Sequence, residues 1–259
     1  MDDRHVYHLG LRRSLLGGAT VALLPGDPGR VEGIARTPPL EDAEELASKR
    51  EFRTWLARAR GVPILVTSTG IGGPSASIAI DELAQLGVTT FVRVGTTGAI
   101  QPHVGVGDVV VTTGAVRLDG ASTHYAPIEY PAVAHYEVVM ALLAAAREAR
   151  VTAHAGITCT ADTFYPGQER HDSFTQYVPR RFQGATEEWR RLHVLNYEME
   201  AATLLTMASA MGLRAGCVAG VVVNRTTGEH VEGDALARGE HHAVIVAVGA
   251  VADHLAAGS

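Results

Sequence analysis

Short, almost wholly apolar segments alternate with longer segments of helical periodicity along this chain. Continuous apolar runs predict buried strands at residues 20–25, 63–67, 91–94, 107–117, 155–160, 194–197 and 215–224. Apolar residues at helical spacing predict helices at residues 31–35, 74–86, 132–150, 185–192, 201–211 and 243–255. This alternation is typical of an α/β protein, and we expect one domain over residues 1–259. The strand–helix–strand unit 63–95 predicts a parallel crossover.

Other stretches are expected to lie outside regular structure. Residues 36–49 are rich in proline and acids and are expected to form a surface connection, and residues 226–240 a mobile loop. Residues 50–55 fit a helix or a strand, while Arg60 and Gly61 predict a hairpin turn before the next strand. The strand at 91–94 is expected to break at Gly95 into a turn.

An arginine, Arg93, lies inside the apolar run 91–94, just before Gly95 and Thr96. Burying a guanidinium is costly unless it meets a carboxylate or an anion. Ligands in open α/β sheets bind just beyond the carboxyl ends of strands. Arg93 and Thr96 therefore either bind an oxyanion such as phosphate, or Arg93 forms an internal ion pair beside a tight turn.

Four predicted loops, 26–30, 95–98, 162–170 and 198–200, each follow the carboxyl end of a strand and are expected to meet at one edge of the sheet. Their arginines would suit phosphate. The Glu200 carboxylate would accept two hydrogen bonds from a diol such as ribose, and Gln168 with Arg170 would match the edge of a base. Taken singly, Glu200 is also typical of an acid at a helix N-terminus, and the other two of a solvated loop.

Composition narrows the choice of partners and location. The chain has 259 residues, 46% of them hydrophobic, and a formal net charge of −6, which gives no reason to expect a nucleic acid or an anionic membrane as a partner. No apolar run reaches the ~20 residues that span a bilayer, and residues 1–10 lack the apolar segment of a signal peptide. Cys159 and Cys217 are expected to be buried, reduced thiols, so we expect a cytoplasmic protein.

Several separated motifs follow one another in a single order from residue 7 to about residue 226. The most specific are STGIGGPS at 68–75, GTTGAIQP at 95–102, DTFYPGQER at 162–170 and NYEME at 196–200. With these motifs the chain closely resembles the nucleoside phosphorylase-I family, and in particular its members that cleave uridine. The resemblance implies a mixed, barrel-like central β-sheet flanked by helices. It also implies hexamers built as trimers of dimers, with active sites shared between subunits.

The activity that the resemblance implies is reversible phosphorolysis, in which uridine and phosphate give uracil and ribose 1-phosphate. Inorganic phosphate is then the co-substrate, and no other cofactor is implied. Arg30, Arg93 and Arg170 would carry catalysis, because they would neutralise the phosphate and the departing uracil anion. His8 and Arg50 would come from the neighbouring subunit.

Residue roles follow from the matched motifs. The phosphate contacts would be Gly26, Arg30, Arg50, Arg93 and Thr96. The ribose contacts would be His8, which would hold the 5′-hydroxyl, and Thr96, Glu198, Met199 and Glu200. The uracil contacts would be Phe164, Gln168, Arg170 and Arg225. A monovalent cation such as K⁺ would lie between paired subunits at Glu51, Ile71 and Ser75.

The match is incomplete at a few positions. Tyr7 stands where the uridine-cleaving members usually have Phe, Lys49 where they commonly have His, and residues 227–240 do not match. A purine nucleoside phosphorylase of the same family would place an Asp near the end of strand 215–224, where this chain has Asn224 and Arg225. That activity and a non-catalytic nucleoside-binding protein are the two alternatives.

Overall fold

The computed structural model describes residues 3–231 and 233–256, and within them ten β-strands join one sheet. The strands are β1 (Val21–Pro25), β2 (Leu40–Lys49), β3 (Phe52–Ala59), β4 (Val62–Thr67), β5 (Thr90–Ala99), β6 (Val109–Leu118), β7 (Ala132–Val133), β8 (Ala153–Ala161), β9 (Asn196–Glu198) and β10 (Arg214–Asn224). The helices are α1 (Val31–Ala35), α2 (Gly73–Leu86), α3 (Tyr136–Glu148), α4 (Ala185–Arg191), α5 (Ala201–Ala210) and α6 (Ala235–Ala250), which continues as a π-helical turn, Val251–Leu255. No helix in the described ranges is long and apolar enough to cross a membrane.

Five of the strands close into a barrel, and four extend from it. β5 pairs with both β10 and β9, and the ring continues from β10 through β6 and β8 to β9. From β5 the sheet extends through β1, β4 and β3 to β2. β1 is parallel to both β4 and β5, as predicted for the unit 63–95, whereas β3 is antiparallel to β2 and β4. The mixed, barrel-like α/β fold is therefore confirmed.

Strand β5 changes partner along its length. It pairs with β1 from Thr90 to Val94 and with β9 only at its last two residues, while β10 accompanies it throughout. The predicted break at Gly95 is wrong, because Gly95 and Thr96 continue the strand. They can do so because β10 still supplies hydrogen-bond partners after β1 has ended. Between the end of β1 and the start of the pairing with β9, one edge of β5 is left without a strand, and a cavity lies there.

Two polar stretches form regular structure that their composition hides. Residues 36–49 were expected to be a surface connection, but Leu40–Lys49 forms β2, an edge strand that pairs with β3. Its run of acids is typical of edge strands, because charge discourages pairing with another chain. Helix α6 begins at Ala235 rather than at residue 243, so it takes up part of the predicted loop. It packs closely on β10, since a β-carbon on Gly220 would lie 1.9 Å from the carbonyl oxygen of Gly239.

The other boundaries lie nearer to the predictions. α3 begins at Tyr136, because residues 132–133 pair with β6 as the short strand β7. The predicted turn at Arg60 and Gly61 is confirmed, with φ angles of 52° and 82°, which a two-residue hairpin turn requires. Cys159 and Cys217 are both buried and free, as expected, and burial raises the pKa of Cys217 to about 12.

Candidate active site

A cavity of about 780 Å³ lies where the ends of β1, β5, β8 and β9 approach one another. The loop after β10 and helix α6 complete its wall. The residues with a predicted phosphate, ribose or uracil role that line it are Gly26, Arg30, Arg93, Thr96, Phe164, Gln168, Arg170, Glu198, Met199 and Glu200. The predicted residues that do not line it are His8, Arg50 and Arg225.

Arg93 is buried in the wall of the cavity, with 7% of its surface exposed. Its Nε donates to Glu198 Oε2 over 3.0 Å, and its Nη2 forms an ion pair with Glu200. Burial opposes its charge, but the carboxylates of Glu200 and Glu198 outweigh burial and raise its pKa above the ordinary value. Nη1 is buried and makes no hydrogen bond with any described residue. The guanidinium is thus charged, held on one side and free on the other.

Arg30 faces the same space from the turn after β1. Its Nη1 donates to the carbonyl oxygen of Val94 over 3.3 Å, and its Nε lies 3.5 Å from a carboxylate oxygen of Glu240 on α6. Burial lowers the pKa of Arg30, Glu240 opposes that shift, and the like charge of Arg93 adds to it. Nη2 is buried without a hydrogen-bond partner in the described part of the chain. Two neighbouring cations, each with a free nitrogen, form a site suited to an oxyanion.

Two carboxylates at the start of α5 hold Arg93, and they differ in what they leave free. Glu198 accepts hydrogen bonds from Arg93, from the hydroxyl of Thr160 and from two backbone N–H groups. A carboxylate can accept about four hydrogen bonds, so these occupy nearly all of its capacity. Glu200 pairs with Arg93 and accepts from the N–H of Gly72 over 2.6 Å. Burial raises the pKa of Glu200, although Arg93 opposes the shift. Glu200 therefore keeps acceptor capacity in the cavity.

The same cavity is also lined by Gln168 and Arg170, both almost fully buried. The Arg170 guanidinium lies 4.2 Å from the centre of the Phe164 ring, and its Nη1 donates to Glu229 over 2.7 Å. Burial lowers the pKa of Arg170, and the like charge of Arg225 adds to the shift. Arg225 lies behind it, with its Nε 2.9 Å from both carboxylate oxygens of Glu229. The buried Nε of Arg170 makes no hydrogen bond within the described residues, so it is free for a ligand.

Glu51, Ile71 and Ser75 lie together on the rim of the cavity. Ser75 Oγ lies 3.2 Å from Glu51 Oε1 and donates to the carbonyl oxygen of Thr69 over 2.6 Å. Gly70 has a φ angle of 69°, and a β-carbon there would lie 2.7 Å from Ser75 Oγ, so the rim requires glycine at this position. Across residues 3–231 and 233–256, no group of three or more His, Cys, Asp or Glu side chains could hold a metal ion.

His8 and Arg50 belong to the outer surface of the chain, away from the cavity lining. Arg50 is exposed in the turn between β2 and β3. Lys49, beside it, donates to the carbonyl oxygen of Tyr7 over 2.5 Å, and its Nζ lies 4.0 Å from the centre of the Tyr7 ring. Tyr7 and Lys49, the two residues expected from the resemblance to be unusual, are therefore in contact. They bring the segments of His8 and Arg50 together.

The family model of the phosphorylase superfamily matches residues 20–254. The chain belongs to this superfamily. Among phosphorylase relatives, the uridine phosphorylase of Escherichia coli (strain K12) is 56% identical over 96% of this chain and 97% of its own length. The uridine phosphorylase of Thermococcus kodakarensis is 50% identical over 90% of this chain and 81% of its own length. A guanosine phosphorylase of Halorubrum lacusprofundi is 39% identical over 83% of this chain and 82% of its own length. The family expected from the motifs is confirmed.

Two carboxylates that pair with arginines of this phosphorylase cavity, Glu229 and Glu240, were not anticipated from the sequence. Glu229 follows Arg225 by four residues, a spacing that permits an ion pair within one helical turn, and this was its only signal. Glu240 lies in a stretch expected to be a loop, and nothing in the sequence pattern places it beside Arg30. Both contacts depend on where the chain after β10 folds back.

Proposed function

We propose that this protein is an enzyme that catalyses the reversible phosphorolysis of uridine to uracil and ribose 1-phosphate. One observation carries the proposal. A single cavity is lined by two arginines that each have a buried, free nitrogen, Arg30 and Arg93, and also by Gln168 with Arg170. The names of the relatives that are 50% and 56% identical over nearly the whole chain support the choice of uridine.

Phosphate would bind against Arg30 and Arg93, with the backbone of Gly26 and the hydroxyl of Thr96 completing the contact. An anionic nucleophile needs no general base, so the task is to hold it beneath C1′ of the sugar. Glu200 would accept hydrogen bonds from the ribose hydroxyls. Because Glu200 also pairs with Arg93, sugar and phosphate would share one rigid support. Positive charge builds on the sugar as the N-glycosidic bond breaks, and the bound phosphate lies next to it.

We assign Glu198 to positioning rather than to direct contact with ribose, because its four hydrogen bonds leave it little capacity for another donor. It orients Arg93 and holds the first turn of α5. Met199, between the two glutamates, lines the cavity and would pack against the sugar ring.

Uracil would lie with O4 toward Arg170 and with N3–H and O2 toward the amide of Gln168, its ring against Phe164. Negative charge develops on uracil as it leaves, and Arg170 would meet it with a positive charge that is already in place. Arg225 would act through Glu229, which contacts both arginines. Arg30, Arg93 and Arg170 are thus the proposed catalytic residues.

Assembly completes the proposal. His8 and Arg50 would act in the site of a neighbouring subunit, in a hexamer arranged as a trimer of dimers, and their position outside this chain's own cavity supports sharing. A cation such as K⁺ at Glu51, Ile71 and Ser75 would need oxygen donors from two chains, since oxygen ligands suit hard cations. We further propose one domain over residues 1–259, because the sheet runs from residue 21 to residue 224, and a cytoplasmic location, where thiols stay reduced.

Release of uracil from uridine, measured with and without phosphate, tests the proposal. Release that requires phosphate and yields ribose 1-phosphate is expected, whereas tight binding without turnover would favour a nucleoside-binding protein. Guanosine and inosine belong in the same assay, because one relative is named for guanosine. At the end of β10, Asn224 donates its amide to the carbonyl oxygens of Gln101 and Val104 and does not line the cavity. That position therefore offers no acid to protonate a purine.

A further inference from the structure

One buried carboxylate holds His8. Glu82, on α2, has 8% of its surface exposed. Its Oε1 accepts the backbone N–H of His8 over 2.9 Å and lies 2.7 Å from Nδ1 of the same residue's ring, while Oε2 accepts the N–H of Leu9 over 2.8 Å. Burial opposes the charge of Glu82, but these hydrogen bonds outweigh it and lower the pKa of the carboxyl below its ordinary value.

The chemistry of the carboxylate decides the tautomer of the ring. An ionised carboxylate only accepts hydrogen bonds, so Nδ1 of His8 must carry the proton that points at Glu82. In the neutral imidazole, Nε2 is then an acceptor. Nε2 has no hydrogen-bond partner among the described residues, and 36% of the His8 side chain is exposed. The ring is therefore fixed on its inner side and offers an acceptor on its outer side.

The segment that precedes His8 is anchored at two points. The ring of Tyr7 meets the imidazole edge to face, with 5.1 Å between the centroids, and Lys49 ties Tyr7 to the strand beside Arg50. Gln85, one turn after Glu82 on α2, accepts a hydrogen bond from Arg4 over 2.7 Å. The imidazole is thus presented on the outer surface at a defined place, next to an exposed arginine.

We propose that Glu82 is a positioning residue that keeps His8 in the Nδ1–H tautomer, so that Nε2 accepts a hydrogen bond from the 5′-hydroxyl of uridine in the neighbouring subunit's site. The inference rests on the proposed function and on shared sites, and it extends them to a residue that touches no substrate. A carboxylate behind a functional histidine fixes its orientation and its tautomer, as it does behind histidines that bind metals.

Comparison of uridine with 5′-deoxyuridine tests this role, because the second substrate lacks the group that His8 would hold. In Glu82→Gln the ratio of kcat/KM for uridine to kcat/KM for 5′-deoxyuridine should fall roughly tenfold, an effect the size of one hydrogen bond. His8→Ala should lower the same ratio, and the double variant should lower it no further. Glu82→Asp, which keeps the carboxylate, should recover part of the ratio. Equal losses for both substrates, or additive losses in the double variant, would overturn the proposal.

A matched control separates the imidazole contact from general anchoring of the segment. Gln85 lies on the same helix as Glu82, and Gln85→Ala removes its hydrogen bond with Arg4 but no contact with His8. This variant should therefore leave the ratio unchanged. Should Glu82→Gln fail to fold, ¹⁵N NMR of the unmodified protein decides, with the His8 ring signals assigned by their loss in His8→Ala. Protonated Nδ1 supports the proposal, and protonated Nε2 contradicts it. Absence of phosphate-dependent uracil release from the unmodified protein would instead reject the proposed function, whatever the tautomer.

Discussion

Replacing Arg93 with methionine should separate its role in folding from its role in binding phosphate. The guanidinium is buried between Glu198 and Glu200, and methionine fills similar space without charge. Glu198 would keep three of its four donors, but Glu200 would lose its ion pair with Arg93. Removing one partner of a buried ion pair costs about 3–5 kcal/mol. We therefore expect Arg93→Met to lose about that much free energy of unfolding at pH 7.

The loss of unfolding free energy should be smaller at lower pH, because it depends on the charge of Glu200. Burial already raises the pKa of this carboxyl above its ordinary value of 4.5, and without Arg93 the pKa should rise further. A carboxyl whose pKa is higher in the folded state binds its proton more tightly there, so its penalty is full above the folded pKa and fades as the pH falls toward 4.5. The difference in urea midpoint between the unmodified protein and Arg93→Met, at one protein concentration, should therefore shrink from pH 8 to pH 5.

Adding Glu200→Gln should restore most of the stability but none of the phosphate binding. Charge-assisted hydrogen bonds contribute about 1.5–3 kcal/mol each, so loss of one Arg93 contact should raise the Kd of phosphate by about 10- to 150-fold. Calorimetric titration with phosphate measures it, with Glu200→Gln alone as the matched control. Arg93→Lys should also bind phosphate poorly, because lysine lacks the planar fork. Near-normal phosphate saturation in the double variant would refute the assignment of Arg93.

The remaining predictions concern assembly and base choice. Mixing a His8→Ala/Arg50→Ala chain with an Arg93→Ala chain should restore some activity, since a mixed pair of subunits contains one intact site; verified mixed oligomers without activity would count against sharing. Uridine should be cleaved and cytidine essentially not, because cytosine turns a donor toward Arg170 and a lone pair toward the oxygen of Gln168, and each mismatch costs ~1–3 kcal/mol. Gln168→Ala should lose uridine cleavage without gaining cytidine cleavage, whereas comparable rates on both bases for the unmodified enzyme would disprove the roles of Gln168 and Arg170. Thymidine should still be cleaved, since its methyl group changes no hydrogen bond, but more weakly than uridine, because the methyl group takes up space near Phe164 and the sugar lacks the 2′-hydroxyl that Glu200 would bind.

Buried strands and amphipathic helices were predictable from this sequence, because burial leaves a direct trace in the spacing of apolar residues. Strands and helical turns that are largely exposed to solvent do not show this spacing of apolar residues. Strand β2 is polar since it lies at the edge of the sheet, and the first turns of α6 are polar since they face the cavity and solvent. The continuation of β5 through Gly95 was hidden for another reason. A glycine followed by two threonines and a second glycine predicts a turn, and here the strand continues because β10 maintains its hydrogen bonds.

The part of the candidate site that lies in recognisable sequence motifs was predictable. Arg93 lies in a strand that the sequence identified, Arg30, Gln168 and Arg170 lie in segments that follow such strands, and the fold brings all four to one cavity. The hydrogen-bonding capacity that each side chain keeps for a ligand was not predictable. The four hydrogen bonds that occupy Glu198 come from three separate segments of the chain, and only the folded structure joins them.

The electrostatics of the single chain give a reason for a shared site that does not depend on resemblance. Its cavity is lined by three arginines but by six carboxyl groups, those of Asp27, Glu51, Glu198, Glu200, Glu229 and Glu240. Each arginine is paired on one side: Arg30 with Glu240, Arg93 with Glu198 and Glu200, and Arg170 with Glu229. The carboxylates orient the guanidinium groups in advance, but they leave no net positive charge for a phosphate anion. We therefore expect a further cation, and we propose that it is a neighbour's Arg50, which is exposed in the turn between β2 and β3. An isolated subunit should therefore be inactive even though its own cavity is fully formed.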